Sequence, residues 1–327
     1  MQIFRDADID PAPLSDKRVA IVGYGNQGRA QALNLKDGGI DVRIGLRPGS
    51  ASADEVEGAG FAHLTPTDAA SWGDVVMLLS PDEHLATIYA EIEPSLAAGT
   101  ALGFAHGLGI HFGLIAPRAD LDIFMVAPKG PGGALRANFV AGTGMAGLFA
   151  IAQDASGSAR DLALAYGRAI GCARVGLIET SFREECEADL FNEAAVVWGS
   201  VPELVLAGYE TLVDAGYSPE LAWFECVGEL KLLADLIDAR GIAGMREAIS
   251  TTAEFGALAG GKRIVTGETR AEMRRVLAEV QGGGLVREMM ADAFSGSPRL
   301  EAARTAQSAH PVEAVGARLR GITQPKP

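Results

Sequence analysis

Four carboxylates in the second half of the chain stand at spacings that suit metal chemistry. Asp189 and Glu193 lie four residues apart in EADLFNEAAVVW, and Glu225 and Glu229 lie four apart in WFECVGELKLL. Both segments read as helices, where residues four apart share a face. Like charges at that spacing cost a helix a few tenths of a kcal/mol. A hard divalent cation with oxygen ligands would offset that cost. Carboxylates from two helices can hold two ions and clamp an oxygen-rich substrate between them. One such pair reads equally well as a solvated acidic face. Two pairs, each flanked by apolar residues, point to a site.

A second chemical signal lies near the start. KRVAIVGYGNQG runs from a basic dipeptide through the apolar stretch Val19–Val22 to Gly23-x-Gly25-x-x-Gly28. The stretch after Asn26 has helical periodicity and ends at a glycine pair. Strand, glycine-rich turn and helix form the context that a dinucleotide fingerprint needs. Gly23 permits the tight turn, Gly25 lets backbone approach a pyrophosphate, and Gly28 allows close helix–strand packing. Phosphates then rest on the helix N-terminus.

The strand expected at Asp41–Gly45 bears on which dinucleotide is bound. NAD-binding folds place an acid at its end for the ribose 2′-hydroxyl. Here the chain continues through Arg47, Ser50 and Ser52, with no acid at that point. A guanidinium and two hydroxyls suit a 2′-phosphate. The expected cofactor is NADPH rather than NADH.

The elements that must position these groups follow from pattern. At 327 residues the chain has room for about two domains. Apolar runs recur at Val75–Leu79, Ala101–Ala105, Ile123–Ala127, Leu148–Ala152 and Val175–Ile178, with helical stretches such as Ser158–Ile170 between them. This predicts an α/β unit, a Rossmann-like doubly wound and mostly parallel sheet, over residues 1–181. Ligands in such sheets bind beyond the carboxyl ends of the strands. After Thr180 the pattern becomes nearly all helical, which predicts an all-α domain over 182–327. Ser181-x-x-Glu184 and Ser200-x-x-Glu203 read as capping boxes, and Ser218-Pro219 starts the helix carrying Glu225 and Glu229. A glycine-rich break is expected at Gly241–Gly244, and a last helix followed by a polar end beyond Pro311.

A net charge of −14 argues against a nucleic-acid partner. Cys172, Cys186 and Cys226 show no ligand spacing and suit a reducing compartment. The start MQIFRDADIDP lacks a basic region followed by an apolar stretch. No apolar run approaches the ~20 residues of a membrane span. A cytoplasmic location without membrane contact is expected.

With these residues in view, the chain resembles the ketol-acid reductoisomerases of the short class. The resemblance rests on AHGLGIHFG, MVAPKGPG, QDASG, IETSFREECEADLFNE, LVDAGYSPELAWFEC and GIAGMREAIS, and it covers nearly the whole length. It implies two Mg²⁺ held by Asp189, Glu193, Glu225 and Glu229, with Asp189 bridging both. It implies NADPH contacts at Tyr24, Gly25, Asn26, Gln27, Arg47, Ser50, Ser52, the loop Asp82, Glu83, His84 and Leu85, and Gly132. It gives His106, Lys129 and Glu229 catalytic roles and places Ser250 against the substrate carboxylate. The substrate it implies is a small 2-hydroxy-3-keto acid. In 2-acetolactate an alkyl group migrates, and the new ketone is reduced to 2,3-dihydroxyisovalerate, a step of branched-chain amino acid synthesis. It further implies a helical domain that is knotted or completed by dimerisation, hence a homodimer at least.

Some residues depart from the family pattern. Asn192, Ala194 and Trp198 stand where the family has Gly, Gln and a small residue, and Gly133 and Gly228 replace two histidines. Val197 and Trp198 occupy positions that in the family lie beside the alkyl pocket. Trp198 either shrinks that pocket or turns outward into helix packing. An authentic reductoisomerase and a divergent paralogue acting on another keto acid both fit these departures. A non-catalytic dinucleotide-binding protein does not explain the intact carboxylate set.

Overall fold

The computed structural model describes residues 2–323, which fall in two units divided after Ala188. The first is built on a nine-stranded sheet. In chain order its strands are β1 (Ile3–Phe4), β2 (Arg18–Val22), β3 (Asp41–Gly45), β4 (His63–Leu64), β5 (Val75–Leu78), β6 (Ala101–Phe104), β7 (Asp122–Pro128), β8 (Gly147–Gln153) and β9 (Leu177–Glu179). Their spatial order is β1-β9-β8-β7-β6-β5-β2-β3-β4. From β2 the chain builds outward through β3 and β4, then returns to add β5, β6 and β7 on the other side. The winding reverses between β2 and β5, where doubly wound sheets bind ligands. Pairings from β4 to β7 are parallel, as is β8 with β9. β7–β8 and β1–β9 are antiparallel.

Every residue of β5, β6 and β7 is buried. This is why these strands read as unbroken apolar runs: helices cover both faces of the sheet. Alternate side chains enter opposite cores. Ile21, Val75 and Met77 join one, while Ala20, Val22, Val76 and Leu78 join the other. Each large side chain so buried contributes about 1.5–3 kcal/mol.

The differences from sequence expectation are local. The two-residue strands β1 and β4 are too short to show a period. The strand expected at Val175–Ile178 begins later, at Leu177. A 3-10 turn at Cys172–Arg174 and Gly176, at φ +153°, occupy the preceding residues.

The helix Phe182–Ala195 runs across the boundary between the units. Ser181 caps its start, its Oγ accepting from Glu184 N at 3.1 Å. The second unit is helical: Ser200–Asp214, Pro219–Trp223, Leu230–Glu247, Thr251–Ile264, Gly267–Gln281, Gly284–Phe294, Pro298–Ser308 and Pro311–Thr323. A small core joins Tyr209, Ala222, Trp223, Val312 and Leu319. The box expected at Ser200 does not form. Gly199 takes the N-cap position, and Ser200 Oγ instead donates to Ala195 O at 2.8 Å. Ser218 does cap its helix, accepting from Leu221 N. The expected glycine break is a kink at Gly241 (φ 69°, ψ 175°), beyond which the helix resumes. The polar end expected after the last helix lies outside the described residues.

Phe182–Asp214 reaches a mean hydropathy of 1.2 over an 18-residue window, enough by length and composition for a membrane span. The sequence reading expected no such stretch. Its first half carries Glu184, Glu185, Glu187, Asp189 and Glu193, and the chain leaves helical geometry between Ala195 and Ser200.

Candidate active site

The glycine-rich turn joins β2 to the helix Asn26–Asp37, with Gly25 as N-cap. Gly23 sits at φ +104°, and a Cβ there would lie 2.7 Å from Ser80 N. At Gly28 a Cβ would meet the Gly23 carbonyl oxygen at 2.3 Å. These two glycines hold the turn and seat the helix on the strand. Around Gly25 the space is open, as backbone approach by a pyrophosphate requires. Tyr24, Gly25, Asn26 and Gly132 line one cleft of about 500 Å³, together with Arg29, Glu55 and Arg136. The Tyr24 hydroxyl is buried without a hydrogen-bond partner. Burial, then the Glu55 charge, raises its pKa above the usual phenol value, so it stays a donor.

Asn26 and Gln27 face the loop after β7. Gly132 N–H donates to Asn26 Oδ1 in a short contact, and Gln27 Nε2 donates to Gly130 O at 3.0 Å. Arg47, Ser50 and Ser52 belong to the turn after β3 and do not line the cleft. Arg47 is exposed there, and Ser50 Oγ accepts from Ser52 N at 3.3 Å. Asp82 and Glu83 open the helix Asp82–Ile92, where acids favour the positive N-terminal end. His84 is exposed, whereas Leu85 is a core residue.

A second cluster gathers at the carboxyl ends of β5, β6 and β7. His106 Nδ1 lies 3.8 Å from Asp82 Oδ2, and its Nε2 lies 3.8 Å from Glu185 Oε2. Lys129 Nζ lies 3.5 Å from Glu185 Oε1. Glu185 also accepts from Gly107 N at 3.1 Å. Its side chain is 1% exposed, against 38% for Lys129. A buried carboxylate needs such partners. The sequence reading found His106 and Lys129 but missed Glu185, the residue that joins them. A signal was present: Glu185 stands four residues before Asp189, so Glu185, Asp189 and Glu193 form one ladder along a single helix face.

Asp189 and Glu193 occupy successive turns of that helix, Asp189 half-buried and Glu193 exposed. Glu225 lies in a π-helical turn, Phe224–Gly228, with Glu229 just beyond it. Both are exposed. A π turn is wider than an α turn and is frequent at functional sites. Each pair offers carboxylate oxygens alone, the donors that a hard ion such as Mg²⁺ takes. Ser250 is the N-cap of Thr251–Ile264, its Oγ accepting from Ala253 N at 3.2 Å. Val197 and Trp198 lie in the turn between Ala195 and Ser200, and Trp198 is 63% exposed.

A doubly wound sheet with a dinucleotide turn, charged groups at its strand ends and a carboxylate-bearing helical unit defines a nucleotide-dependent oxidoreductase. Comparisons with known proteins sharpen this. Residues 13–176 match the family model described as acetohydroxy acid isomeroreductase, NADPH-binding domain, and residues 182–324 match ketol-acid reductoisomerase, C-terminal domain. The chain belongs to the ketol-acid reductoisomerase family. It is 43% identical to an NADH-preferring ketol-acid reductoisomerase from an uncultured archaeon, with a TM-score of 0.96 over 99% of this chain and 100% of that one. More distant structures share the fold alone. A semialdehyde dehydrogenase NAD-binding protein from Cupriavidus necator is 20% identical, with a TM-score of 0.62 over 81% of this chain and 98% of that one. A putative oxidoreductase from Jannaschia sp. CCS1 is 18% identical, with a TM-score of 0.61 over 82% and 97%.

Proposed function

We propose that the protein converts 2-acetolactate to 2,3-dihydroxyisovalerate with NADPH and two Mg²⁺. The observation that carries this reading is the joint presence, in one family member, of the open dinucleotide turn and the full set Asp189, Glu193, Glu225 and Glu229. Bound there, the ions would polarise the ketone and stabilise the ionised hydroxyl during alkyl migration, and the nicotinamide would supply hydride. Tyr24, Gly25, Asn26, Gln27 and Gly132 hold the dinucleotide in this reading, with the loop Asp82–Leu85 beside it. Arg47, Ser50 and Ser52 receive its 2′-phosphate. Lys129 steadies an oxyanion or the substrate carboxylate, and Ser250 contacts that carboxylate. His106 and Glu229 exchange protons with the substrate oxygens, and Glu185 anchors Lys129 and His106. Val197 and Trp198 border the alkyl group.

The preference for NADPH rests on the turn after β3, which offers a guanidinium and two hydroxyls and places no acid at the strand end. The domain boundary in this reading falls at 181/182, and the protein works in the cytoplasm. A homodimer completes the helical domain. Among the described residues, the helices Leu230–Glu247 and Thr251–Ile264 have none buried. They expose Leu232, Ile242, Phe255 and Ile264, apolar side chains that a partner chain would cover. Nothing in the comparisons favours the divergent alternative.

The test is NADPH oxidation with Mg²⁺ and 2-acetolactate, on protein whose mass by light scattering should be at least two chains. Asp189→Asn should abolish isomerisation and leave dinucleotide binding nearly unchanged. Full isomerase activity in that variant would remove the metal assignment.

A further inference from the structure

Four side-chain and backbone groups form a line from the helix Ala159–Ala169, which packs on the sheet, to the loop that carries Lys129. Tyr166 Oη donates to Gln31 Oε1 at 2.7 Å. Gln31 Nε2 donates to Gln27 Oε1 at 3.1 Å, and Gln27 Nε2 donates to Gly130 O at 3.0 Å. Gln31 and Tyr166 are completely buried. An amide in such a place needs both ends satisfied.

The direction of the chain follows from its last acceptor. Gly130 offers a carbonyl oxygen, so Gln27 must turn its NH₂ toward it. Gln27 Oε1 then faces back and can only accept, which orients Gln31. Gln31 Oε1 in turn needs a donor, and Tyr166 supplies it. Burial raises the Tyr166 pKa well above the usual phenol value, so its proton remains in place. The tyrosine ring is fixed against Phe124, at 5.9 Å between centroids. The loop is gripped a second time where Gly132 N–H donates to Asn26 Oδ1. Substitution cannot easily relax that point, because a Cβ on Gly132 would lie 1.9 Å from the Asn26 carbonyl oxygen. Two neighbouring residues of the glycine-rich turn thus hold the loop, one by its carbonyl and one by its amide.

We infer that Tyr166 and Gln31 are positioning residues: through Gln27 they set the loop of Lys129 and Gly130 against the glycine-rich turn, so that the dinucleotide site and Lys129 keep one spacing. The catalytic part of this inference rests on the role given above to Lys129. The structural part stands on the hydrogen bonds alone.

The test uses the full-length protein and the variants Gln31→Met, which keeps volume and removes both bonds, and Tyr166→Phe, which keeps the ring. Amide hydrogen exchange would be followed in residues 129–134 and in β2. Both variants should speed exchange in 129–134 and leave β2 unchanged. In steady-state assays kcat should fall about tenfold, since small misplacements of a reacting group are costly, while the dinucleotide KM moves less than about threefold. Unchanged exchange at 129–134 would overturn the relay, and so would a rise spread evenly over β2, which marks general loosening. Faster loop exchange with wild-type kcat would overturn its catalytic consequence. Lys129→Met separates the two layers. If that variant keeps full activity while Gln31→Met both loosens the loop and slows the enzyme, the relay stands and the assignment of Lys129 falls.

Discussion

Glu185→Gln separates two roles that a buried carboxylate can have. In the wild type its side chain, 1% exposed, accepts from Gly107 N at 3.1 Å and faces Lys129 at 3.5 Å. Glutamine keeps the shape and can still accept from Gly107. The loss there is the difference between a charge-assisted and a neutral hydrogen bond, about 1 kcal/mol. Breaking a buried ion pair can cost about 3–5 kcal/mol, because a charge is stranded. That penalty does not apply in full here. Lys129 is 38% exposed, so its ammonium can turn to water and the pair must be discounted for screening. The net destabilisation should be about 1 kcal/mol, or roughly 2–4 °C in Tm for a unit of this size. The catalytic loss should be far larger. With the charge gone, Lys129 and His106 lose their common anchor, and a displacement of about 1 Å lowers kcat by about 100-fold. Thermal denaturation and Mg²⁺-dependent NADPH oxidation would be measured on the same preparation. Wild-type kcat with a small drop in Tm would refute the anchoring role. A Tm loss beyond about 10 °C would show that Glu185 chiefly supports the fold.

Replacing Ser50 and Ser52 by Asp should repel a 2′-phosphate and move the kcat/KM ratio toward NADH; an unchanged ratio, or a wild-type preference for NADH like that named for the archaeal relative, would remove the role given to this turn. Trp198→Cys should raise activity on 2-aceto-2-hydroxybutyrate relative to 2-acetolactate, by an amount bounded by the ~1–3 kcal/mol of a methylene misfit; equal preference in wild type and variant would place Trp198 away from the pocket. The hydrogen bond from Arg18 holds the Asp74 carboxyl below the usual carboxylate range. Its stabilisation is therefore complete above the unfolded value near ~4 and is lost as pH falls through the lower folded value. Asp74→Asn should be less stable than wild type at neutral pH, with the gap closing in acid; a gap independent of pH would contradict the assignment.

The sheet was readable because its central strands are buried on both faces. Val75–Leu78 and Asp122–Pro128 have no exposed residue, so composition alone marks them. Where exposure returns, the signal fades. β1 and β4 have two residues each, too few for any period. β9 starts two residues late because Val175 closes the 3-10 turn Cys172–Arg174 as its C-cap and Gly176 follows at φ +153°. In the helical unit the misplaced box at Ser200 has a similar cause. Ser, Pro and Glu at the right offsets suggest a cap, but the backbone at Gly199 already takes the N-cap position, which leaves the Ser200 hydroxyl to close the preceding helix through Ala195 O.

The site was legible where chemistry requires a local spacing and illegible where it requires a tertiary one. Gly28 packs on the Gly23 carbonyl five residues away and the turn itself needs Gly23 at positive φ, so their pattern survives in the linear chain, although the crowding of Gly23 by Ser80 does not. Lys129 and His106 are ordinary loop residues until β6 and β7 pair, and only the resemblance to a family singled them out. Glu185 shows where such reading stops. It sits in a run of acids, Glu184, Glu185 and Glu187, in which only its four-residue offset from Asp189 sets it apart. The fold makes the choice: Glu184 is exposed and Glu187 half-buried, while Glu185 alone of the three is fully buried. A carboxylate removed from water must find donors, and here they are the Gly107 amide and Lys129, with His106 close by. Burial of one residue in an acidic run thus turns one position of a solvated helix face into a partner for the loops after β6 and β7.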